Sequence, residues 1–154
     1  MKRNHHHLAL LIGVVAVVWA GIAAGFSLRQ KKFMKQQDEY FKKEVDSANK
    51  KCAIALKAAI DWASFKGEMD KALDKKINYS FYGYCSSPVS NLRGMCDDAD
   101  AKAEVKKKVK SYTCKFGGKG KRKMTLKGGK LTFWVDWEAA NADDFAKEFF
   151  GKNL

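Results

Sequence analysis

The chain has 154 residues, 46% hydrophobic and 12% aromatic, a composition that is ordinary for a globular protein and excludes a disordered tail. Its 30 basic and 17 acidic residues give a formal net charge of +13, which favours anionic surfaces such as lipid headgroups, acidic envelope polymers or nucleic acid. Only four of the basic residues are arginine, whose planar fork suits phosphate and base edges, so the composition argues against specific nucleic-acid recognition. The alternative is a lysine-rich surface that serves solubility alone.

A hydrophobic segment lies close to the N terminus. Residues 1–7 form a short basic tail, and residues 8–26 (LALLIGVVAVVWAGIAAGF) form an uncharged apolar run. As a helix this run would extend about 28 Å, close to the hydrocarbon thickness of a bilayer. We therefore predict a transmembrane helix over residues 8–26, with the lipid bilayer as its partner. The alternative is a cleaved signal peptide, because Lys2 and Arg3 precede the run and small residues (AGIAAG) lie near its end.

The next segment reads as a long helix. From Ser27 to about Phe65 the chain lacks glycine and proline and is rich in alanine, lysine, glutamate and glutamine. Apolar residues recur at steps of four and three, which places them on one helical face. We assign residues 27–45 to a helical stalk and residues 46–154 to one small, basic, disulfide-containing domain. The stripe consists of Phe41, Val45, Ala48, Cys52, Ala55, Ala59 and Trp62.

Shorter helices follow, over about 67–76, 91–96 and 97–110. Asp97, Asp98 and Asp100 open the third of these, and helix capping explains them better than calcium, because the EF-hand pattern is missing. Between the first two lies an aromatic stretch that reads better as core than as a platform for sugars or bases. Its rings belong to Tyr79, Phe81, Tyr82 and Tyr84.

After residue 110 the apolar period changes to two, which indicates strands over about 112–116, 124–127 and 131–137. Gly128-Gly129 is a good two-residue hairpin turn, and in that hairpin Leu126 faces Leu131 and Met124 faces Phe133. A last helix covers about 141–150. The predicted fold class is α+β: a transmembrane helix, a long amphipathic helix, short helices, a three-stranded antiparallel meander and a C-terminal helix.

The four cysteines predict two disulfides, because their number is even and an export-type N terminus precedes them. Cys52 and Cys114 lie on inward faces of the long helix and the first strand, so we pair them. Cys85 and Cys96 flank a short loop, and we pair those. The other two connectivities remain open, and four reduced, buried thiols are the alternative.

The cysteines also bear on topology. A count of basic residues on either side of the apolar run would place the domain in the cytoplasm. We follow the cysteines instead and predict a single-pass membrane protein with an extracytoplasmic domain, either periplasmic or at the cell surface.

The sequence predicts no metal site, because there is no CxxC pair and all three histidines precede the apolar run.

No catalytic constellation stands out. The domain contains no histidine, and the GxSxG, HExxH and P-loop patterns are absent from the sequence, so we predict no catalytic residue and no cofactor. The best candidate for a binding site is residues 117–123 (GGKGKRK), where glycines expose backbone N–H groups beside basic side chains. Such a loop can hold an anion, and its alternative is a flexible, solvated turn. The candidate anion-binding residues are Lys119, Lys121, Arg122 and Lys123.

These patterns favour a non-enzymatic, membrane-tethered extracytoplasmic module that binds an anionic envelope component or a protein partner. The alternative is a structural accessory subunit of a larger membrane complex, held by its span and stalk. A small enzyme is the third reading.

Overall fold

A computed structural model describes residues 25–75 and 80–154. These residues form a mixed α+β fold, which confirms the predicted fold class at that level. In chain order the elements are α1 (Leu28–Cys52), β1 (Lys57–Ile60), α2 (Trp62–Asp74), α3 (Phe81–Met95), α4 (Ala99–Lys108), β2 (Ser111–Phe116), β3 (Lys123–Lys127), β4 (Lys130–Val135) and α5 (Ala142–Asn153).

Helix α1 begins with a reciprocal cap. The Ser27 hydroxyl accepts from the Gln30 backbone N–H at 3.2 Å, and the Gln30 side chain accepts from the Ser27 N–H at 2.6 Å. This pairing satisfies two N–H groups that have no partner within the helix. The segment 27–45, predicted as a stalk, buries Met34, Phe41 and Val45 in the same core as the sheet.

The predicted single helix from Ser27 to Phe65 is wrong, because α1 ends at Cys52 and a strand follows. Ala53 adopts a left-handed conformation with φ 53°, and the Asn49 side chain accepts from the Leu56 N–H at 2.8 Å. That hydrogen bond turns the chain out of the helix into β1. Ala55 and Ala59 of the predicted stripe are exposed, whereas its other members are buried: Phe41, Val45, Ala48, Cys52 and Trp62.

The strand order is β1-β2-β4-β3, so the predicted antiparallel meander is also wrong. Strands β1 and β4 both run parallel to β2, and only β3 is antiparallel to its neighbour. The segment 117–122 carries the chain past the place of β4. Strand β4 therefore lies between β2 and β3 in the sheet. It is the most apolar of the strands, and its residues Leu131, Phe133 and Val135 are almost wholly buried.

The β3–β4 hairpin has the predicted register. Leu126 pairs with Leu131, and Met124 pairs with Phe133. Gly128 and Gly129 form the turn with φ values of 54° and 78°, a conformation that residues with a Cβ atom rarely adopt.

The helices contact one side of the sheet. Phe41 of α1 lies against Tyr112, with ring centroids 6.1 Å apart, and Phe145 of α5 lies 6.2 Å from Phe133. The Tyr112 hydroxyl donates to the Cys85 carbonyl oxygen of α3 at 2.8 Å, inside the core. Tyr112 and Phe133 both point inward, so the described helices and the sheet form two layers.

The short helix predicted over about 91–96 is the end of a longer helix, α3, which begins at Phe81. The structure carries the helix through Pro88, which is buried along with Cys85 and Val89. Proline lacks an N–H and is costly within a helix, so packing has overridden local preference here. Phe81, from the predicted aromatic stretch, is fully buried, whereas Tyr79 lies outside the described residues.

All four cysteines form disulfides, as predicted, but the pairing differs. The bonds are Cys52–Cys96 and Cys85–Cys114, not Cys52–Cys114 and Cys85–Cys96. The reason is α3, which carries Cys85 inward onto β2 and leaves Cys96 just past its end, beside the end of α1. Each bridge therefore joins two different elements.

Within residues 25–75 and 80–154, none of the helices combines the length and apolar character needed to cross a bilayer. The predicted span over residues 8–26 lies outside the described residues except for its last two.

Candidate anion-binding surface

Basic charge is concentrated in one part of the chain. From Lys102 to Lys130 there are twelve basic residues, and the single acidic residue is Glu104, so this stretch carries +11 of the chain's +13. It covers most of α4, strands β2 and β3, and the hairpin turn. In the sheet β2 and β3 flank β4, so the fold places the lysines of these two strands on either side of a third strand.

The strand registers place part of this charge on one face of the sheet, which we name the outward face. Residues paired across strands point to the same side, and the side opposite the buried Tyr112, Cys114 and Phe133 forms three rows. The rows are Lys57, Ser111, Lys130 and Lys127; then Ala59, Thr113, Thr132 and Thr125; then Lys115, Trp134 and Lys123.

The outward face thus has lysines at both ends and threonines between them. Lys57, Lys127 and Lys130 form no ion pair with any residue that the structure describes. At the other end, Lys115 pairs with Asp61 at 3.1 Å, and the Lys123 ammonium lies 4.8 Å from the centre of the Trp134 ring. The two lysine rows are about 13 Å apart, four residues along a strand.

Sequence reasoning missed this face, although its signal is present. The outward positions read Ser-x-Thr-x-Lys in β2, Lys-x-Thr-x-Lys in β3 and Lys-x-Thr-x-Trp in β4. The period of two in each strand, taken alone, indicates only which side is buried. Only the strand order shows that these three patterns align as rows.

A second basic feature lies at the hairpin end of the domain. Lys107, Lys108 and Lys110 line an open cleft of about 410 Å³ together with Leu126, the turn glycines and Asn153. Its charges are partly engaged, because the Lys108 ammonium lies 2.9 Å from a Glu104 carboxylate oxygen and 2.8 Å from the Leu154 oxygen. The cleft is therefore less free to bind an anion than its composition suggests.

The predicted glycine-rich loop already holds a carboxylate of the protein itself. Asp136 is 6% exposed and accepts from the Gly120 N–H at 2.7 Å and the Glu138 N–H at 3.0 Å. Gly118 and Gly120 have φ values of 90° and 68°, which explains the need for glycine there. The backbone N–H groups of this loop therefore bind an anion, but that anion is the Asp136 carboxylate of the protein itself.

The four predicted anion-binding residues are spread around this loop rather than converging on one point. Lys119 pairs with Glu138 at 2.7 Å, and that hydrogen bond raises the pKa of the Lys119 ammonium. The Arg122 guanidinium lies 4.5 Å from the centre of the Phe145 ring, and Lys123 lies over Trp134. Lys121 is exposed. Only Lys123 belongs to the outward face, and binding by the set of four remains a prediction.

Nothing among the described residues resembles a metal centre, since no three metal-ligating side chains cluster there.

The carboxyl group of Asp38 has an unusual environment. Burial raises the pKa of Asp38 to about 6, although the Trp62 indole N–H, which donates to it at 3.0 Å, opposes the rise. No nucleophile or second titrating group lies with this pair in any contact that would complete a catalytic arrangement within the described residues.

Asp38 should make stability depend on pH. Its folded pKa exceeds its ordinary value of 3.8, so its favourable contribution is complete below about pH 4 and is lost as the pH rises through 6. We expect Asp38→Asn to raise the free energy of unfolding at pH 8 by about 1 kcal/mol, allowing for partial exposure, because an amide oxygen can still accept from Trp62.

Urea unfolding at pH 8 and pH 4 measures this effect. At pH 4 the two proteins should agree, because the carboxyl group is then largely neutral in the native protein. Glu39→Gln, an exposed change on the same helix, is the control. Equal stability of Asp38→Asn and the native protein at pH 8 would contradict the prediction.

Comparisons of the chain with protein families, with curated proteins and with solved structures found no match.

Proposed function

We propose that this protein is a non-enzymatic binding module for an anionic component of the cell envelope, tethered to the membrane by residues 8–26 and displayed on the extracytoplasmic side. The observation that carries the proposal is the charge of +11 between Lys102 and Lys130, on α4, on the two strands that flank β4 and on the turns beside them. A surface of one sign attracts polyanions and speeds their association. The two disulfides support an oxidising compartment.

A charge-matched pair of variants tests the proposal. The first changes four lysines of the basic stretch to glutamine, and the second changes four exposed lysines of α1. The probe is polyglutamate, and binding by the full chain in a non-ionic detergent is followed by titration over a range of salt concentrations. The first variant carries changes at Lys107, Lys110, Lys121 and Lys127, and the second at Lys31, Lys32, Lys35 and Lys50.

We expect binding that weakens as salt rises, because ions screen exposed charges. The variant in the basic stretch should bind about tenfold more weakly, since each exposed pair contributes up to about 1 kcal/mol. The α1 variant, with the same net charge, should lose much less. Equal losses in the two variants would mean that only total charge matters, and absence of binding by the native protein would overturn the proposal.

A further inference from the structure

Besides its lysines, the outward face of the sheet carries a row of threonines and a tryptophan, which electrostatic attraction of an anion does not require. Thr113, Thr132 and Thr125 lie directly beside one another on three neighbouring strands. Thr132 is only 8% exposed, whereas the outer two are half-buried and their hydroxyls make no hydrogen bond to a described residue. Beside this row lies the half-buried ring of Trp134. Hydroxyls and an indole ring supply contacts that an ion alone would not use.

We propose that the outward face binds an extended anionic polysaccharide. Its sugar rings lie along the threonine row and against Trp134, and its acidic groups reach the lysine rows at the two ends. The inference rests on the proposed function and names the ligand class and the surface. The rows are about 13 Å apart and four strands span about 14 Å, so the face accommodates several sugars of a chain.

The chemistry of each row fits a sugar polymer. Threonine hydroxyls both donate and accept, which suits the hydroxyls of sugars. The Lys123 ammonium lies 4.8 Å from the centre of the Trp134 ring, so the charge at this end is held in place by an aromatic group. Lys57, Lys127 and Lys130 supply charge at the opposite end without an acidic partner among the described residues.

Two other surfaces of the same charge fit less well. A membrane-docking face presents large apolar side chains, but the exposed large hydrophobic residues of the described chain are Leu28 and Tyr40, both on α1. Single-stranded nucleic acid is held on a series of stacked aromatic rings. The outward face carries the ring of Trp134 alone, surrounded by lysine and threonine.

The test compares two polymers of similar charge density, with and without sugars. Polygalacturonate carries a carboxylate on each sugar, whereas polyglutamate carries carboxylates on a peptide chain. We expect the full chain to bind polygalacturonate about tenfold more tightly at equal salt, because the threonine row and Trp134 contribute only with the sugar polymer.

A double variant, Thr113→Val with Thr125→Val, removes two hydroxyls and keeps charge and side-chain shape. It should weaken polygalacturonate binding about tenfold and leave polyglutamate binding unchanged.

Two charge variants test where on the protein the polymer binds. Changing Lys115, Lys123, Lys127 and Lys130 to glutamine should weaken polygalacturonate binding more than the same change at Lys106, Lys107, Lys108 and Lys110, of which the last three line the cleft. Thermal melting checks that each variant is folded.

The outcomes separate this inference from the proposed function. Equal affinity for the two polymers, or a double threonine variant that binds like the native protein, overturns the inference while salt-sensitive binding still supports the proposed function. Failure to bind either polymer overturns both.

Discussion

Reduction of the two disulfides is expected to remove most of the stability of this domain. The bridges Cys52–Cys96 and Cys85–Cys114 span 44 and 29 residues. In the chain-entropy description such closures contribute about 4 and about 3.5 kcal/mol. A domain of this size has a total of roughly 5–15 kcal/mol, so losing both should lower the melting temperature by tens of degrees or prevent folding at 37 °C.

Peptide mapping without reduction checks the pairing, and paired alanine variants separate the two contributions. Cys85→Ala with Cys114→Ala should cost at least as much as Cys52→Ala with Cys96→Ala, despite the shorter loop. Both Cys85 and Cys114 are fully buried between α3 and β2, so their removal also leaves a cavity, whereas Cys96 is 6% exposed. Four thiols that can be alkylated in protein from intact cells would contradict the prediction and remove its support for an oxidising compartment.

Replacement of Phe81 by alanine is expected to cost about 3–5 kcal/mol. The ring is fully buried, and its centroid lies 5.2 Å from that of Phe33, 5.7 Å from that of Phe65 and 5.0 Å from that of Trp137. One substitution therefore opens a cavity where α1, α2 and the end of β4 meet α3. The melting temperature should fall by roughly 10 °C or more.

Chemical unfolding followed by circular dichroism measures the cost. Phe81→Leu keeps most of the volume and should cost about 1 kcal/mol. Tyr40→Ala removes an aromatic ring that is 41% exposed and stacks on Tyr82 at the surface, so its cost should stay below about 1 kcal/mol. A Phe81→Ala protein as stable as Tyr40→Ala would contradict the assignment of this cluster to the core.

Local patterns predicted several parts of the fold well. Asp98 caps α4, as the acidic run before a lysine-rich turn indicated, with its side chain accepting from the Ala101 N–H at 2.8 Å. The β3–β4 hairpin and its register follow from Gly128-Gly129 and the alternation of apolar residues. These features depend on residues close in sequence, so their hydrogen bonds and turn conformations can be inferred without the rest of the chain.

The candidate site was predicted only in part. The basic loop drew attention to residues 119–123, but the sequence could not show that Asp136, which lies beyond two strands, supplies the anion for its backbone donors. Nor could it show that Lys127 and Lys130 share a face with Lys57. Both facts depend on which strands are neighbours.

By itself, the sequence determined the mixed α+β class, the existence of two disulfides, the hairpin and the excess of positive charge. The tertiary structure alone decided where α1 ends, that β4 lies between β2 and β3, and which cysteines are bonded. The physical reason is common to these three. Each depends on contacts between segments that are distant in sequence. Lys57–Ile60 becomes a strand because β2 offers it parallel hydrogen bonds, and the apolar strand β4 is buried between β2 and β3. Cys85 reaches Cys114 because α3 packs across the sheet.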